Sequence, residues 1–298
     1  MNPITEFLNE NNISYKENEP MKLHTSFRIG GDAKIFIFVK NPDELQKTIC
    51  FCRENSLNFF VIGNGSNLLV SDSGISSVVI KLCGEFEEIK LVNETTIEAG
   101  AGTNLSAVCK AALSNGLSGL EFAYGIPGSV GGAAYMNAGA YGGEMKDVAK
   151  TCFHVNKDGK AGVFSGDELR FGYRKSVYTD NGCIITKVLF SLQKGDKEEI
   201  KAKMDDLLNR RVTKQPLEYP SAGSVFRRPE GYFAGALIEQ SGLKGRTVGG
   251  AQVSEKHAGF IINIGNATCE DVKKLIGICQ ETVKEKFNVQ LETEIKSI

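Results

Sequence analysis

The stretch YGIPGSVGGAAYMNAGAYGG, residues 124–143, limits the fold more than any other part of the chain. Seven glycines lie between Gly125 and Gly143, interspersed with alanines. Each glycine weakens a helix by about 1 kcal/mol relative to alanine, and here they accumulate. What such a stretch offers instead is close approach, either to a flat bulky ligand or to another chain segment. Pro127 stiffens its start. Taken alone, the stretch favours a ligand, with a close-packed crossing as the alternative. A second glycine loop, GNGSN at 63–67, directly follows the strand-like NFFVIG. It opens like G-x-G-x-x-G, but Leu68 stands at the third glycine and a further strand follows. No helix N-terminus is there to receive a pyrophosphate, which excludes a Rossmann site. Consecutive backbone N–H groups, supplemented by Ser66 and Asn67, can still cradle phosphate, with a plain turn as the alternative. Two such loops in one chain favour an extended cofactor, phosphates at one end and a ring at the other.

The remainder alternates short strands and helices. ITEFLNENN reads as a helix followed by a polar link, then AKIFIFVK as a strand and NPDELQKTICFCRENS as an amphipathic helix. The middle holds strands TTIEAGAG, CFHVNK and CIITKVLFSL around one helix, NLSAVCKAALSNG. In DKEEIKAKMDDLLNRR the residues Ile200, Met204, Leu207 and Leu208 form one stripe. TCEDVKKLIGICQETVKEKF repeats the pattern behind Thr268 as N-cap. NVQLETEI alternates like a closing strand. This predicts an α+β chain of three domains, 1–82, 83–195 and 196–298, within the reach of 298 residues.

A net charge of −1 provides no global field for nucleic acid or an anionic membrane. Apolar runs are strand-sized, and the start lacks the pattern of a secretory leader. The eight cysteines are scattered, Cys50 and Cys52 form C-x-C, and no histidine stands at metal-ligand spacing. Free thiols, no metal site and a cytoplasmic location are expected.

Ser224, in PSAGSVFRRPEG, invites a hydrolase reading. It is not in G-x-S-x-G, and the three histidines, His24, His154 and His257, offer no committed base. A turn serine is the plain alternative. Around it, residues 201–250 carry nine Lys or Arg against five Asp or Glu, a local anion-binding balance. Arg211, Lys214, Arg227 and Arg228 flank the serine in sequence.

TSFRIGG, VIGNGSNLL, GIPGSVGG with NAGAYGGE, FGYRKS, SAGSVF and LETEI, in this order and spacing, resemble the bacterial UDP-N-acetylenolpyruvoylglucosamine reductases. The resemblance runs from about residue 20 to the C-terminus. It implies a two-subdomain FAD-binding fold of the vanillyl-alcohol-oxidase type, then a C-terminal α+β substrate-binding domain. It also implies non-covalent FAD, since neither His24 nor His154 stands in the glycine loops, and NADPH as reductant. Gly63, Asn64, Gly65, Ser66, Asn67, Leu68 and Leu69 would hold the pyrophosphate. Gly125, Ile126, Pro127, Gly128, Ser129, Gly131 and Gly132, with Asn137, Ala138, Gly139 and Ala140, would line the rest of the flavin.

In that family the flavin passes hydride from N5 to C3 of an enolpyruvyl ether, and charge builds toward C2 and its carboxylate. Ser224 matches the proton donor to C2, and Arg174 and Glu294 match the other catalytic positions. An arginine fork suits a developing enolate in charge and geometry. Glu292 shares the predicted face of Glu294, so only the family register separates them. Tyr173, Arg211, Lys214, Arg228 and His257 match or adjoin substrate contacts of a nucleotide sugar. Only 37 positions separate Arg174 from Arg211, too few for the extra tyrosine loop of some members, so the chain resembles the compact subgroup. Arg228 stands where other members carry asparagine. Competing expectations are an FAD oxidase of the same fold acting on an alcohol or lactone, and a non-catalytic flavin- or nucleotide-binding protein. A monomer is expected.

Overall fold

The computed structural model describes residues 3–298. They form two compact units that interleave along the chain. Unit one holds the chain up to Glu17, Ile35–Asn64 and Ser77–Arg210; unit two holds Asn18–Lys34, Gly65–Ser76 and Arg211–Ile298. Residues 18–34 and 65–76, which a linear division places in 1–82, therefore fold with the C-terminal segment. The cause is long-range burial. Phe27, Ile29 and Leu69 share a core with Val272, Leu275 and Leu291, and Leu68–Leu69 runs parallel to Lys296–Ser297. The C-terminal unit begins at Arg211 rather than 196, because Ile200 and Met204 of the helix Lys197–Lys214 join the core of unit one. Leu207 and Leu208 of its predicted stripe are only half-buried.

Beside two two-stranded pairings, Gly139–Ala140 with Gly143–Glu144 and Leu117–Ser118 with Gln193–Lys194, two larger sheets lie mainly in unit one. The first has strand order Ser14–Pro20, Asp32–Val39, Val78–Leu82, Phe59–Ile62, the last three parallel. Its central VVIKL is apolar and buried except at half-buried Lys81, as suits a parallel strand covered on both faces. The helix Pro42–Glu54 starts with Pro42 behind Asn41, whose side chain accepts the N–H of Glu44 at 2.9 Å. Leu45, Ile49 and Cys52 are its buried stripe. The second sheet is antiparallel, in the order Ala161–Ser165, Ala149–Val155, Ile184–Ser191, Thr96–Gly100, Ile89–Asn93. Unit two has an antiparallel sheet, Ser221–Ser224, Phe260–Asn263, Ala251–Val253, Thr247–Val248, and the helices Ala234–Gln240 and Cys269–Phe287. Thr268 closes a capping box with Asp271, and Asp72 adds its carboxylate, accepting from the N–H of Cys269 at 2.8 Å and Glu270 at 3.1 Å.

Three local expectations change. The polar link after the first helix contains the strand Ser14–Pro20, an edge strand that needs little apolar sequence. NVQLETEI is not a continuous strand. It makes one bridge, Thr293 to Phe226, and buries Leu291 and Ile295, while the strand proper is Lys296–Ser297. The glycine-rich stretch contains a short helix, Val130–Tyr135, capped by Ser129.

Gly131 explains that helix. A Cβ there would lie 2.9 Å from the Ala101 Cβ, and the Gly131 N–H donates to the Ala101 carbonyl at 2.9 Å. Part of the glycine content thus serves close packing. Gly131→Ala sets a helix-propensity gain of about 1 kcal/mol against an overpacking cost of roughly 1–3 kcal/mol. A lower urea midpoint is expected, partly restored by adding Ala101→Gly; a rise in midpoint would refute the packing argument.

Candidate active site

In unit one, three loops meet. Gly63, at the end of its strand, sits against Ser129, where any side chain at 63 would run into Ser129 Oγ. Asn64 Nδ2 donates to Asn104 Oδ1 at 2.6 Å. Asn104 bridges to Ser129, and the N–H of Leu105 and Val130 donate to the carbonyls of Gly128 and Thr103 at 3.0 and 2.8 Å. Asn104 starts the helix Leu105–Ser114 without a side-chain cap bond, because its side chain is turned to Asn64. Thr103 Oγ1 is buried without a partner among the described residues. The Asn64 N–H makes no backbone hydrogen bond among the described residues. Within unit one, the Asn64 N–H, the unsatisfied Thr103 hydroxyl and Gly63, with no room for a side chain, form a cradle that fits a phosphate. Thr103 and Asn104 escaped the sequence reading, although GTN at a strand-to-helix junction carries the signal.

The rest of the predicted cofactor set is distributed unevenly. In unit two, the Gly65 site is closed by the His24 carbonyl, and Leu68 and Leu69 are buried and paired with the C-terminal strand. Those two can offer little beyond backbone. Asn67 turns its Nδ2 to the Glu294 carbonyl at 3.2 Å and receives the Lys296 N–H at 2.9 Å. In unit one, Gly125, Ile126, Gly128 and Gly131 are half-buried, and Pro127 and Gly132 are exposed. Ala138, Gly139 and Ala140 lead into a hairpin whose turn residues Tyr141 and Gly142 both have positive φ, 54° and 88°. That is the twist-matched two-residue connection.

Arg174 lies in unit one on a turn closed by reciprocal hydrogen bonds between Gly172 and Lys175, at 2.9 and 3.2 Å. Its φ is 54°, a left-handed conformation that costs an arginine roughly 1–2 kcal/mol. The guanidinium stands 5.1 Å from the ring centre of Tyr173, which is exposed. Behind the turn, Ser176 Oγ donates to the Tyr135 carbonyl at 2.8 Å, and the Tyr178 hydroxyl, pushed up in pKa by burial, meets His154 Nδ1 at 3.1 Å.

Ser224 and Glu294 come together in unit two. Ser221 pairs with Ile262 but Ser224 with Phe260, three residues against two. The extra residue is a bulge, and Gly223 takes the left-handed φ of 79° that it demands. The bulge turns Ser224 outward, exposed, with no hydrogen-bond partner for its hydroxyl among the described residues. Val225, next to it, donates to the Gly259 carbonyl and accepts the Glu294 N–H at 2.7 Å. Glu294 is half-buried, whereas Glu292 is exposed and faces Arg227 at 3.7 Å. The fold thus separates two glutamates that alternation cannot.

No histidine serves Ser224 as base. His24 bonds Glu19, His154 meets Tyr178, and His257 Nδ1 accepts the Gly259 N–H at 3.1 Å. Burial holds the His257 pKa below its ordinary value, so the ring is neutral and donates only through Nε2. Arg211 and Lys214 share one face at the end of their helix, three residues apart. Arg228 lies over exposed Phe233, 4.0 Å from the ring centre. Among the described residues there is no His/Cys/Asp/Glu group able to hold a metal ion, and no helix long and apolar enough to cross a membrane.

Comparison with known proteins agrees with this layout. A model of an FAD-binding domain matches residues 33–163, and one of the UDP-N-acetylenolpyruvoylglucosamine reductase C-terminal domain matches 215–298. The reductase of Alkaliphilus oremlandii is 52% identical over 94% of this chain and 92% of its own. That of Clostridium perfringens strain SM101 is 49% identical over 99% and 96%. The crystal structure of the enzyme from Thermus caldophilus superposes with a TM-score of 0.82 at 38% identity, covering 96% of this chain and 98% of that one. A berberine bridge enzyme variant, at 12% identity and TM-score 0.51, shares the fold over 65% of this chain and 44% of its own. Two glycine loops within an FAD-binding domain, a serine bulge within the C-terminal domain and near-complete coverage at half identity lead to one assignment: the chain belongs to the UDP-N-acetylenolpyruvoylglucosamine reductase family.

Proposed function

We propose that this protein reduces UDP-N-acetylglucosamine enolpyruvate to UDP-N-acetylmuramate, a step of peptidoglycan precursor synthesis, with NADPH as reductant and non-covalent FAD. The observation that carries the residue assignment is Ser224, exposed on a glycine bulge with Glu294 tied to the adjacent residue. FAD held there and reduced by NADPH would supply the hydride that C3 of the enolpyruvyl double bond requires. The displaced electron pair moves to C2 and into the neighbouring carboxylate. Ser224 Oγ gives its proton to C2, completing addition of H⁻ and H⁺ across the double bond, and the serine oxygen recovers its proton from water. A hydroxyl is a weak acid, yet an enolate carbon is a far stronger base, so the transfer runs downhill once both are held together.

Arg174 stabilises the developing carboxylate charge by a two-point contact. Glu294 acts through a hydrogen bond rather than as a bare carboxylate, which would repel that charge. Arg211, Lys214 and Arg228 bind the diphosphate, and Tyr173 and neutral His257 supply further contacts. Gly63–Ser66, Thr103, Asn104 and Gly128–Gly132 hold the FAD diphosphate, with the neighbouring glycine-rich residues along the flavin. Two FAD-binding subdomains meeting near residues 82 and 83, a monomeric state and a cytoplasmic location complete the proposal.

Anaerobic half-reactions test it. In Ser224→Ala, NADPH should bleach the flavin at the normal rate, while its recovery on adding enolpyruvyl substrate slows by about 10²- to 10⁴-fold, the usual share of a general acid. Equal loss in both half-reactions would remove Ser224 from the proton-donor role. Gly223→Ala tests the bulge separately. Nothing lies within 4 Å of a Cβ at 223, so only the positive φ opposes it. The variant should fold and bind FAD but lose the substrate half-reaction as Ser224 is re-aimed; unchanged recovery would show that the bulge is irrelevant to proton delivery.

A further inference from the structure

The turn that carries Arg174 is held from one side by a residue that the family pattern places against the flavin. Asn137 is buried, 1% exposed, with φ 43°. Its Nδ2 donates to the Gly172 carbonyl and to Glu144 Oε2, each at 2.9 Å, and its Oδ1 accepts the Lys146 N–H at 2.9 Å. Both amide hydrogens and the carbonyl oxygen are therefore engaged within the protein. The Gly172 carbonyl is also the acceptor that closes the turn, taking the Lys175 N–H at 3.2 Å. One carbonyl thus gathers the bond that forms the turn and the bond that fixes it to residues 135–137. Ser176 repeats the attachment beyond the turn, donating to the Tyr135 carbonyl at 2.8 Å. Tyr173 and Arg174 lie between these two anchors.

We propose that Asn137 is a positioning residue for Arg174, acting through the Gly172 carbonyl, rather than a ligand of the cofactor. An arginine in the left-handed region persists only where its surroundings over-determine it. The two anchors provide that over-determination, and the side chain is held in one direction before substrate arrives. Asparagine suits the position twice, since it tolerates positive φ and carries two amide hydrogens on one short stem. The inference rests on the catalytic assignment of Arg174 given above.

Asn137→Gly, which accepts the backbone conformation but removes the side chain, and Ser176→Ala, which releases the second anchor, test it in the holoenzyme. Hydrogen exchange of the 171–177 segment, FAD affinity and the two anaerobic half-reactions are measured for each, alone and with Arg174→Lys. Faster exchange at the Lys175 amide is expected, with FAD affinity and NADPH reduction unchanged. Flavin recovery with enolpyruvyl substrate should slow by up to about 100-fold, the scale of a small misplacement of a catalytic group. That loss should largely vanish in the Arg174→Lys background. Reduced FAD affinity with unchanged exchange would overturn the proposal in favour of a cofactor contact. Faster exchange with unchanged recovery would overturn it differently, by showing that Arg174 needs no anchoring of its turn; unchanged recovery in Arg174→Lys alone would instead remove the catalytic assignment. Should Asn137→Gly fail to fold, Ser176→Ala gives the same readings from the other anchor, and additive losses with Arg174→Lys would refute positioning.

Discussion

The backbone at Gly63 and at Gly65 leaves no room for a side chain, and much else depends on that restriction. Gly63 meets Ser129 within unit one, and Gly65 meets the His24 carbonyl within unit two. A side chain at either position would displace backbone or the N-cap of the helix Val130–Tyr135. The same few residues therefore end a parallel strand, order the loops around Asn104 and lead into Leu68–Leu69, where the C-terminus is recruited as a strand. In unit one the Asn64 side chain is turned to Asn104, and the Asn64 N–H makes no backbone hydrogen bond among the described residues, which leaves it for a ligand.

The proposed catalytic groups share a second property. Arg174 sits at φ 54°, and Ser224 follows Gly223 at φ 79°. Neither lies in a regular stretch of strand or helix. Each is aimed by one residue in the left-handed region, and each departure is held by hydrogen bonds to neighbouring backbone: Gly172 to Lys175 in one case, Val225 to Gly259 and Glu294 in the other. The roughly 1–2 kcal/mol cost at Arg174 is met locally, and Gly223 has no Cβ to incur it, so both directions are fixed more tightly than in a flexible loop.

Much of this was legible in the sequence, and the failures have physical causes. The glycine loops, the capped helix behind Thr268 and the absent third glycine at Leu68 follow from local rules of conformation. Interleaving of the two units does not. Phe27 and Ile29 are apolar residues whose partner, the helix Cys269–Phe287, lies more than two hundred positions away, and no local pattern encodes that choice. The closing segment misled because Leu291 and Ile295 are buried by tertiary contacts, although the backbone between them is irregular. Thr103 and Asn104 show a different limit: GTN marks a strand-to-helix junction, but their role lies in bonds not made, an unsatisfied hydroxyl and an N-cap side chain diverted to Asn64.

The histidines show why a serine suits the proposed acid. Each imidazole is engaged elsewhere, and His257 is further biased to its neutral form by burial. A histidine acid would also titrate near neutral pH, so that the fraction carrying a transferable proton would change across the physiological range. A serine hydroxyl stays protonated throughout. Its weakness as an acid would be disabling against a modest base, but the group to be protonated is a carbon bearing enolate charge. Matching a reluctant donor to an exceptionally basic acceptor places the demand on geometry rather than on pKa. Geometry is what the Gly223 bulge and the Val225–Glu294 bond provide.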